Sequence, residues 1–433
     1  MAKRKKQFEA IPGMSDILPK DQTLWLKIEE IVSSVANFYN FSKITTPIVE
    51  EADLFIKGTG EETDIVAKQM YGFTTKGGQR VVLRPEFTPS IVRAYIQSGM
   101  ESLSKPVKLW SFGPVFRYER PQRGRNRQFW QFNFEIFGDR SSFEDALLIQ
   151  AFSDVLRDLS ITNWVLEVNS IGCKECRPNY IRQLKNYYKN RIKELCFDCK
   201  KRLTKNPLRL LDCKEEKCQR LRKFAPQIVN SLCQECHQQL KELLETLDVI
   251  RIPYELNPYL VRGLDYYART VFEFIPSDKK EKGQSTLIGG GRYDYLIEQL
   301  GGKDTPAVGG AGGVERIIEE LKDQKINILK KRVDRFEEAP KLFLAQLGTL
   351  SKRKALLLLQ DFKKSRIRVG ENLGKDNLKI QLAQAAGMGV KYTLILGQKE
   401  AIDETIIMRD METGIQEIFP LSEIVKEVKS RIK

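Results

Sequence analysis

The stretch that decides the fold reads F116-R117-Y118-E119-R120-P121-Q122-R123-G124-R125-N126-R127-Q128-F129, and we call it the arginine loop. It holds five arginines in eleven positions, between two segments with strand patterning at 107–117 and 127–137. An arginine side chain carries a fixed, permanently charged fork that suits phosphate oxygens. The pattern therefore predicts a strand–loop–strand unit that binds a polyphosphate or a nucleic-acid backbone. A solvated basic hairpin is the alternative interpretation.

On either side of this unit the chain mixes helical and strand patterns. Apolar residues at helical spacing predict a helix over 21–39, and a segment rich in β-branched residues follows at 41–49. The other predictions before residue 325 are strands at 80–83, 253–260, 270–274, 285–288 and 307–313, and helices at 89–98, 180–195, 293–300 and 314–322. From residue 340 onward strands alternate with helices, which predicts a separate α/β domain with a mainly parallel sheet.

The composition is that of a folded, globular chain. Of 433 residues, 41% are hydrophobic and 30% are charged, which is ordinary for a globular protein, and the length suggests about three domains. No apolar run approaches the roughly 18 residues of a membrane span. The start, MAKRKKQFEA, has positive charge but no apolar core, so we expect no secretory signal and a cytoplasmic location.

The charge balance favours a polyanionic partner. The chain has 72 Lys and Arg against 57 Asp and Glu, a formal net charge of +15. Residues 173–223 alone contain 17 basic and 6 acidic residues, so +11 lies in one segment. Such local concentration indicates a face that binds phosphates, with nucleic acid as the first candidate partner. A solvated helical surface is the alternative.

All eight cysteines fall between residues 173 and 236. They form four close pairs, Cys173 with Cys176, Cys196 with Cys199, Cys213 with Cys218, and Cys233 with Cys236. In a reducing compartment, pairs at this spacing are typical of zinc sites, and eight thiolates suffice for two four-cysteine sites. Plain reduced thiols are the alternative.

The chain contains one histidine, His237, which directly follows the last cysteine. It is either a zinc ligand or a surface residue, so no histidine base is available to the rest of the chain and a Ser-His-Asp triad is excluded. Catalysis then rests on arginines, carboxylates and a metal ion, which can position and stabilise a phosphoryl centre.

Three further segments combine glycine, arginine, aspartate and tyrosine. They are V261-R262-G263-L264-D265-Y266-Y267-A268-R269-T270, G289-G290-G291-R292-Y293-D294 and G309-G310-A311-G312-G313-V314-E315-R316. Glycine runs let a ligand approach the backbone closely, although an ordinary turn gives the same pattern. No Gly-Lys-Ser/Thr follows the glycines at 289–291, so this run is not a phosphate loop of the Walker type.

Together these segments resemble the class II aminoacyl-tRNA synthetases, and within that class the histidyl-tRNA synthetase family. The resemblance covers nearly the whole chain. Residues 41–49, 116–135 and 309–316 are similar to motifs 1, 2 and 3 of the class. The segments at 262–267 and 289–294 resemble the two signatures of the histidine-specific family, and L83-R84-P85-E86-F87-T88 resembles its substrate-binding segment.

The resemblance implies an α+β fold, with an antiparallel-sheet catalytic domain, a helical Cys-rich insertion and a C-terminal α/β anticodon-binding domain. We expect the catalytic domain at 1–172 and 249–325, the insertion at 173–248, a linker at 326–339 and the anticodon-binding domain at 340–433. In the family the insertion approaches the acceptor stem of the tRNA, which agrees with its basic charge.

The resemblance also implies an activity, ligation of L-histidine to tRNA(His) with ATP and Mg²⁺, by a homodimer. The histidine-binding residues would be Glu86, Thr88, Gln131, Glu135, Arg262, Tyr266 and Tyr267. The ATP-binding residues would be Arg117, Glu119, Phe129 and Arg316, with Arg117 and Arg262 as the catalytic arginines. Gln122, Arg123 and Arg125 would contact the acceptor end of the tRNA.

Two positions depart from the family pattern. Phe87 stands where a small residue is usual, and Gly310 stands where an aromatic residue is common. The competing interpretations are the regulatory subunit of ATP phosphoribosyltransferase, a different class II synthetase, and an RNA-binding regulator that kept the pocket. The regulatory paralogue usually loses parts of the signatures and the terminal domain, whereas this chain has both.

Overall fold

A computed structural model describes residues 8–278, 286–333 and 339–432 of the chain. Within these residues the strands are β1 (Ser42–Lys43), β2 (Val49–Glu51), β3 (Tyr71–Thr74), β4 (Arg80–Leu83), β5 (Val107–Phe116), β6 (Gln128–Phe137), β7 (Trp164–Ser170), β8 (Tyr254–Leu256), β9 (Ala268–Pro276), β10 (Ile288–Arg292), β11 (Ala307–Gly313), β12 (Leu342–Gln346), β13 (Val369–Glu371), β14 (Tyr392–Leu396), β15 (Thr405–Asp410) and β16 (Gln416–Pro420). The α-helices are α1 (Pro19–Phe38), α2 (Ala52–Thr59), α3 (Thr88–Gln97), α4 (Ser142–Asp158), α5 (Cys176–Lys189), α6 (Phe197–Lys205), α7 (Glu216–Arg222), α8 (Gln234–Val249), α9 (Leu296–Gln299), α10 (Val314–Asp323), α11 (Thr349–Lys364), α12 (Leu378–Gly387), α13 (Gln398–Ile402) and α14 (Ile424–Arg431).

The largest unit is an eight-stranded sheet with the order β1-β5-β6-β11-β10-β9-β7-β8. Its two outermost pairings, β1 with β5 and β7 with β8, are parallel, and the other five are antiparallel. The predicted strand–loop–strand unit is the long antiparallel pair of β5 and β6. A smaller sheet, β2-β4-β3, lies beside it.

The glycine run at 289–291 lies inside a strand, so the predicted strand over 285–288 is displaced to Ile288–Arg292 and the predicted helix over 293–300 is shortened. The three glycines are the centre of β10, and the helix is confined to α9. Gly290 pairs with Gly310 across β11, and a Cβ on Gly290 would lie 2.7 Å from the ring of Phe272. Glycine is required because two backbones and an aromatic ring meet there. Ser285 lies outside the described residues.

Helix α4 is the central support of this sheet, and the sequence analysis assigned no element there. Ser141 caps the helix by accepting a hydrogen bond from the backbone N–H of Phe143, and two acidic residues occupy the first turn. The helix is buried on almost every side because it packs between the sheet, α1 and α8, and its buried residues include the charged Glu144, Asp145 and Asp154. Such burial removes the amphipathic stripe by which a surface helix is recognised.

The C-terminal sheet has the order β13-β12-β14-β15-β16. Its first two pairings are parallel and its last two are antiparallel, so the prediction of a mainly parallel sheet holds only for one half. The connections around β15 contain only residues 397–404 and 411–415, and a parallel crossover needs a dozen or more. Short connections therefore force the antiparallel arrangement.

Other predicted elements are shorter in the structure. The segment 41–49 forms strands only at its two ends, in β1 and β2, and the segment 253–260 only at β8. Of the predicted linker at 326–339, residues 334–338 lie outside the described residues. In the described part of the chain, no helix combines the length and apolar character needed to cross a membrane.

The C-terminal domain packs directly against the catalytic sheet. Apolar residues of β12 and α11 belong to the same core cluster as those of α1 and α4. A buried ion pair joins Lys108 on β5 to Glu371 on β13, with 2.6 Å between Nζ and Oε1. Gln150 on α4 also donates to the backbone carbonyl of Leu356 at 3.2 Å. The two domains therefore share one interior.

Candidate active site

A cavity of about 350 Å³ opens between the arginine loop, the glycine strands and the Cys-rich insertion. Most of the predicted site residues line it, namely Glu86, Thr88, Arg117, Glu119, Arg125, Phe129, Gln131, Arg262, Tyr266, Tyr267 and Arg316. The three predicted residues outside the lining are Glu135, Gln122 and Arg123. Segments separated by up to about half the chain thus converge on one space.

Glu135 lies beneath the cavity floor and is fully buried on β6. Its carboxylate accepts hydrogen bonds from Thr88 Oγ1 at 2.7 Å and from the Tyr293 hydroxyl at 2.5 Å. Burial raises the pKa of Glu135 to about 8. Gly309 faces it from β11, and a Cβ there would overlap the carboxylate, so the glycine makes room for the acid. The protein therefore holds an acid that is mostly protonated at neutral pH.

Glu86 forms a second buried acid on the same side of the cavity. It accepts hydrogen bonds from the Tyr266 hydroxyl at 2.7 Å and from Thr59 Oγ1 at 2.9 Å. Burial raises the pKa of Glu86, and these hydrogen bonds oppose the rise. Burial also raises the pKa of Tyr267 to about 12, so its hydroxyl keeps its proton. This part of the cavity combines hydroxyl donors with two carboxyl groups.

Three arginines provide positive charge in the same cavity. Arg117 donates to the backbone carbonyl of Pro85 at 2.9 Å, and its guanidinium lies 5.3 Å from the centre of the Phe129 ring. Arg316 donates to the carbonyl of Thr286 at 2.8 Å. Arg262 forms a close ion pair with Glu273. Backbone and carboxylate contacts fix all three side chains in place before a ligand arrives.

The tip of the arginine loop forms the rim of the site. Arg125 pairs with Glu119 at 3.2 Å and lines the cavity. Arg123 pairs with Asp323 at 2.5 Å, yet 71% of its side chain is exposed. Gln122 is exposed as well. These last two residues face solvent, where they can contact a large ligand but not one bound in the cavity.

The sequence analysis missed several residues of the cavity or its wall. Asn133 alternates with Gln131 and Glu135 on β6, and side chains two apart share one face of a strand. That period could have revealed it. Glu273, the partner of Arg262, is the one residue of β9 that lines the cavity, so no alternation along that strand points to it. Tyr293 was quoted in its segment but given no role.

Arg209 is the least expected residue of the cavity, because it comes from the Cys-rich insertion. It pairs with Asp64 at 2.8 Å, and Arg202 pairs with the same carboxylate at 3.4 Å. Nearby, Asn206 donates to Asp265 at 2.6 Å. No local sequence signal distinguishes Arg209 from the other basic residues of the insertion.

The eight cysteines form two compact clusters. The first cysteine cluster contains Cys173, Cys176, Cys233 and Cys236, and the second cysteine cluster contains Cys196, Cys199, Cys213 and Cys218. The sulfur atoms of Cys173 and Cys176 are 3.6 Å apart, and those of Cys196 and Cys213 are 3.8 Å apart. Four thiolates around zinc at about 2.3 Å have sulfurs about 3.8 Å apart, so both clusters fit this ion. The exposed His237 belongs to neither cluster.

The two departures from the family pattern have different surroundings. Phe87 is buried with its ring 4.1 Å below the guanidinium of Arg84, and it does not line the cavity. Gly310 does line the cavity, and a Cβ there would lie 2.8 Å from the ring of Phe152. An aromatic residue at position 310 would displace this ring.

Comparisons with known proteins place the chain in a family. The family described as Histidyl-tRNA synthetase matches residues 13–317, and the one described as Anticodon binding domain matches residues 344–431. The histidine–tRNA ligase of Dehalococcoides mccartyi is 43% identical over 425 residues, which cover 98% of this chain and 100% of that protein. The histidine–tRNA ligase of Desulforamulus reducens is 40% identical over 419 residues, which cover 97% of this chain and 98% of that protein. The crystal structure of apo S. aureus histidyl-tRNA synthetase is 32% identical with a TM-score of 0.61, covering 98% of this chain and 100% of that one. These matches confirm the predicted fold class, and the chain belongs to the histidyl-tRNA synthetase family.

Proposed function

We propose that this chain ligates L-histidine to its cognate tRNA in two steps, through an ATP-dependent histidyl-adenylate that is transferred to the tRNA 3′ end. The observation that carries the proposal is one cavity whose lining combines carboxyl and hydroxyl groups with Arg117, Arg262 and Arg316. The carboxyl and hydroxyl groups suit a small cationic ligand with polar N–H groups, and the arginines suit a polyphosphate.

Histidine binds beside the carboxyl and hydroxyl groups in this proposal. Glu86 and Thr88 hold the α-amino group with help from Gln131, while Glu135 and Tyr267 bind the imidazole. Tyr266 lines the pocket, and its hydrogen bond to Glu86 supports the orientation of that acid. A site whose buried polar groups need an N–H partner rejects isosteres that lack one by roughly 10⁴-fold.

ATP binds beside the arginines. Arg117 binds the α-phosphate and Arg316 binds the γ-phosphate. Glu119 accepts from the adenine amino group, and Phe129 stacks on the ring. The support is geometric, because all four side chains line the same cavity and come from the arginine loop or the start of α10.

The reaction begins when a carboxylate oxygen of histidine attacks the α-phosphorus in line and pyrophosphate leaves. Arg117 and Arg262 stabilise the charge that develops on the α-phosphate oxygens. Preorganised donors of this kind contribute about 3–4 kcal/mol each. A ribose hydroxyl of the tRNA then attacks the adenylate carbonyl, and AMP leaves with the bond electrons. Glu273 orients Arg262 throughout through their ion pair.

The donor set near the phosphates fits Mg²⁺, which prefers oxygen ligands. The carboxylates of Glu273 and Glu315 line the cavity beside Arg316. Burial raises the pKa of Glu315 to about 7, although its carboxylate accepts a hydrogen bond from the backbone N–H of Trp130. Mg²⁺ bound there with ATP would supply charge neutralisation for the leaving pyrophosphate.

The outer parts of the chain bind the tRNA in this proposal. Residues 1–172 and 249–325 form the catalytic domain, 173–248 the insertion over the acceptor stem, 326–339 a linker and 340–433 the anticodon-binding domain. Gln122, Arg123 and Arg125 contact the acceptor end, and two of them lie exposed at the rim. The +11 charge between residues 173 and 223 supports a phosphate-binding role for the insertion.

The chain acts as a homodimer in the cytoplasm, where ATP and tRNA are available. Exposed apolar side chains on the small sheet support an interface, since Val49 on β2 and Phe73 on β3 are 43% and 51% exposed. Each cysteine cluster holds one zinc ion, which fixes the helices of the insertion relative to each other. The sulfur spacing supports this assignment.

The function is tested by ATP–pyrophosphate exchange with each of the twenty amino acids separately. We expect exchange with histidine and background rates with the other nineteen. Exchange with a different amino acid would contradict the roles of Glu135 and Tyr267. Folded protein that binds histidine without exchange would instead indicate the regulatory paralogue.

The role of Arg262 predicts a selective loss of chemistry. Arg262→Ala lowers the kcat of histidine-dependent exchange by about 10²–10³-fold, because one preorganised donor is lost from the transition state. Histidine binding, measured by calorimetry, changes by less than about fivefold. Arg120→Ala is the matched control, since Arg120 is an exposed arginine of the same loop outside the cavity lining. Exchange by Arg262→Ala within tenfold of the wild type would remove Arg262 from the mechanism.

Zinc is tested by elemental analysis of protein purified without chelator. We expect about two equivalents per chain, one for each four-thiolate site. Cys196→Ser should lose about one equivalent, because three thiolates hold zinc less tightly than four. A wild-type protein that contains no zinc would favour plain thiols.

A further inference from the structure

Arg269 lies at an irregularity of the sheet directly after the histidine-binding segment. Val271 pairs with Gly291 on β10, whereas Ala268 pairs with Arg292, so Arg269 and Thr270 sit in a bulge. The backbone of Arg269 has φ +54°, which is unusual for any residue except glycine. Bulges redirect side chains near active sites, and strain of this kind persists only where the surroundings fix it.

The surroundings that fix Arg269 belong to the first cysteine cluster. Its side chain is buried, and Nη1 donates to Cys236 Sγ at 3.6 Å. The same guanidinium donates to Gln239 Oε1 at 3.1 Å and to Glu235 Oε1 at 2.9 Å. Its Nε lies 3.2 Å from Asp294 Oδ2. Asp294 belongs to the family signature at 289–294 and follows the end of β10. Arg269 thus joins one cysteine ligand to two segments of the catalytic domain.

The backbone makes the same connection. The N–H of Arg269 donates to the carbonyl of Gly172 at 3.0 Å, and the carbonyl of Arg269 accepts from the N–H of Ile171 at 2.8 Å. Ile171 and Gly172 are the two residues before Cys173. Arg177, which follows Cys176 on α5, donates to the carbonyl of Tyr267 at 2.6 Å. The chain around the cluster therefore contacts the histidine-binding segment at two points.

A zinc ion bound by four thiolates carries a net charge of −2, and a buried anion needs a cationic partner nearby. Arg269 is placed to provide that charge, between Cys236 and Asp294. Hydrogen bonds to metal ligands commonly orient the surrounding structure as well as the ligands. Among the described residues, the hydrogen bonds of the sulfurs in the second cysteine cluster stay within that cluster. The chain between its second and third cysteines reaches the histidine-binding segment through the hydrogen bond from Asn206 to Asp265.

We infer that the first cysteine cluster, with zinc bound, positions the histidine-binding segment, and that Arg269 is the positioning residue through which it acts. The inference rests on the proposed function. It assigns the two cysteine clusters unequal roles, because among the described residues only the first has a sulfur in contact with Arg269. Neither Arg269 nor the cluster contacts histidine itself.

The test compares two cysteine variants, Cys236→Ser and Cys218→Ser. Both residues are buried to the same extent, and each belongs to one four-cysteine cluster, but only Cys236 contacts Arg269. Each variant is combined with Arg269→Lys, which keeps the charge and loses the forked geometry. The measurements are zinc content, histidine affinity by calorimetry, and KM and kcat for histidine-dependent exchange without tRNA.

We expect Cys236→Ser to raise the Kd and KM for histidine about tenfold or more, with a smaller change in kcat. Cys218→Ser should lose zinc equally but change the histidine Kd less than about threefold. Arg269→Lys should reproduce the weaker histidine binding, and adding Cys236→Ser should cause little further loss because both act through one contact. When Cys218→Ser is added to Arg269→Lys, the fold-change in the histidine Kd should instead equal the product of the fold-changes of the two single variants.

The inference would be overturned if the two cysteine variants changed the histidine Kd equally. It would also be overturned if the double variant of Arg269→Lys and Cys236→Ser changed this Kd by the product of the two single fold-changes. Should Cys236→Ser not fold, Arg269→Lys decides alone, since unchanged histidine affinity with full zinc content contradicts the inference. A wild-type protein without histidine-dependent exchange would contradict the proposed function instead. The two failures are therefore distinguishable.

Discussion

The site depends on one buried acid, Glu135 in the middle of the large sheet. An unpartnered buried carboxyl group costs several kcal/mol, so the fold surrounds it with the hydroxyls of Thr88 and Tyr293. Gly309 on the adjacent strand leaves the space that the acid fills. The glycine strands, the start of α3 and the tyrosine of the second family signature are all arranged around this group. In the proposed function they turn the acid toward an imidazole N–H.

The Cys-rich insertion contributes directly to the wall of the cavity. Arg209 enters the cavity wall and pairs with Asp64, while Arg177 holds the backbone of Tyr267. Together with the contact between Arg269 and Cys236, these bonds connect the insertion to both sides of the cavity. A ligand on the insertion and a ligand in the cavity can therefore influence each other through short, defined contacts.

Much of this could be predicted from the sequence, because the arginine loop and its two strands have a local pattern with a period of two. The same strand places Gln131 and Glu135 on one face, and the resemblance to the family supplied most of the other predicted site residues. Contacts between distant segments carry no such local signal, so the pairing of Arg209 with Asp64 was not predicted. The glycine run at 289–291 was placed between a strand and a helix, with an ordinary turn as the alternative. Its strand pairs with β11 on one side and β9 on the other, and no local pattern of residues indicates these partners.

The most direct test of this account is the proton balance of histidine binding, measured by calorimetry in buffers of different ionisation enthalpy. Free Glu135 has a pKa raised to about 8, and an imidazole N–H donor lowers it, so binding releases a proton below that pKa and none well above it. Near neutral pH the wild type should therefore release more protons on binding histidine than Glu135→Gln, which mimics the protonated acid, and the difference should fade as the pH rises above the pKa of Glu135. The same proton release from both proteins at pH 7.5 would show that Glu135 does not bind the imidazole as a carboxylate.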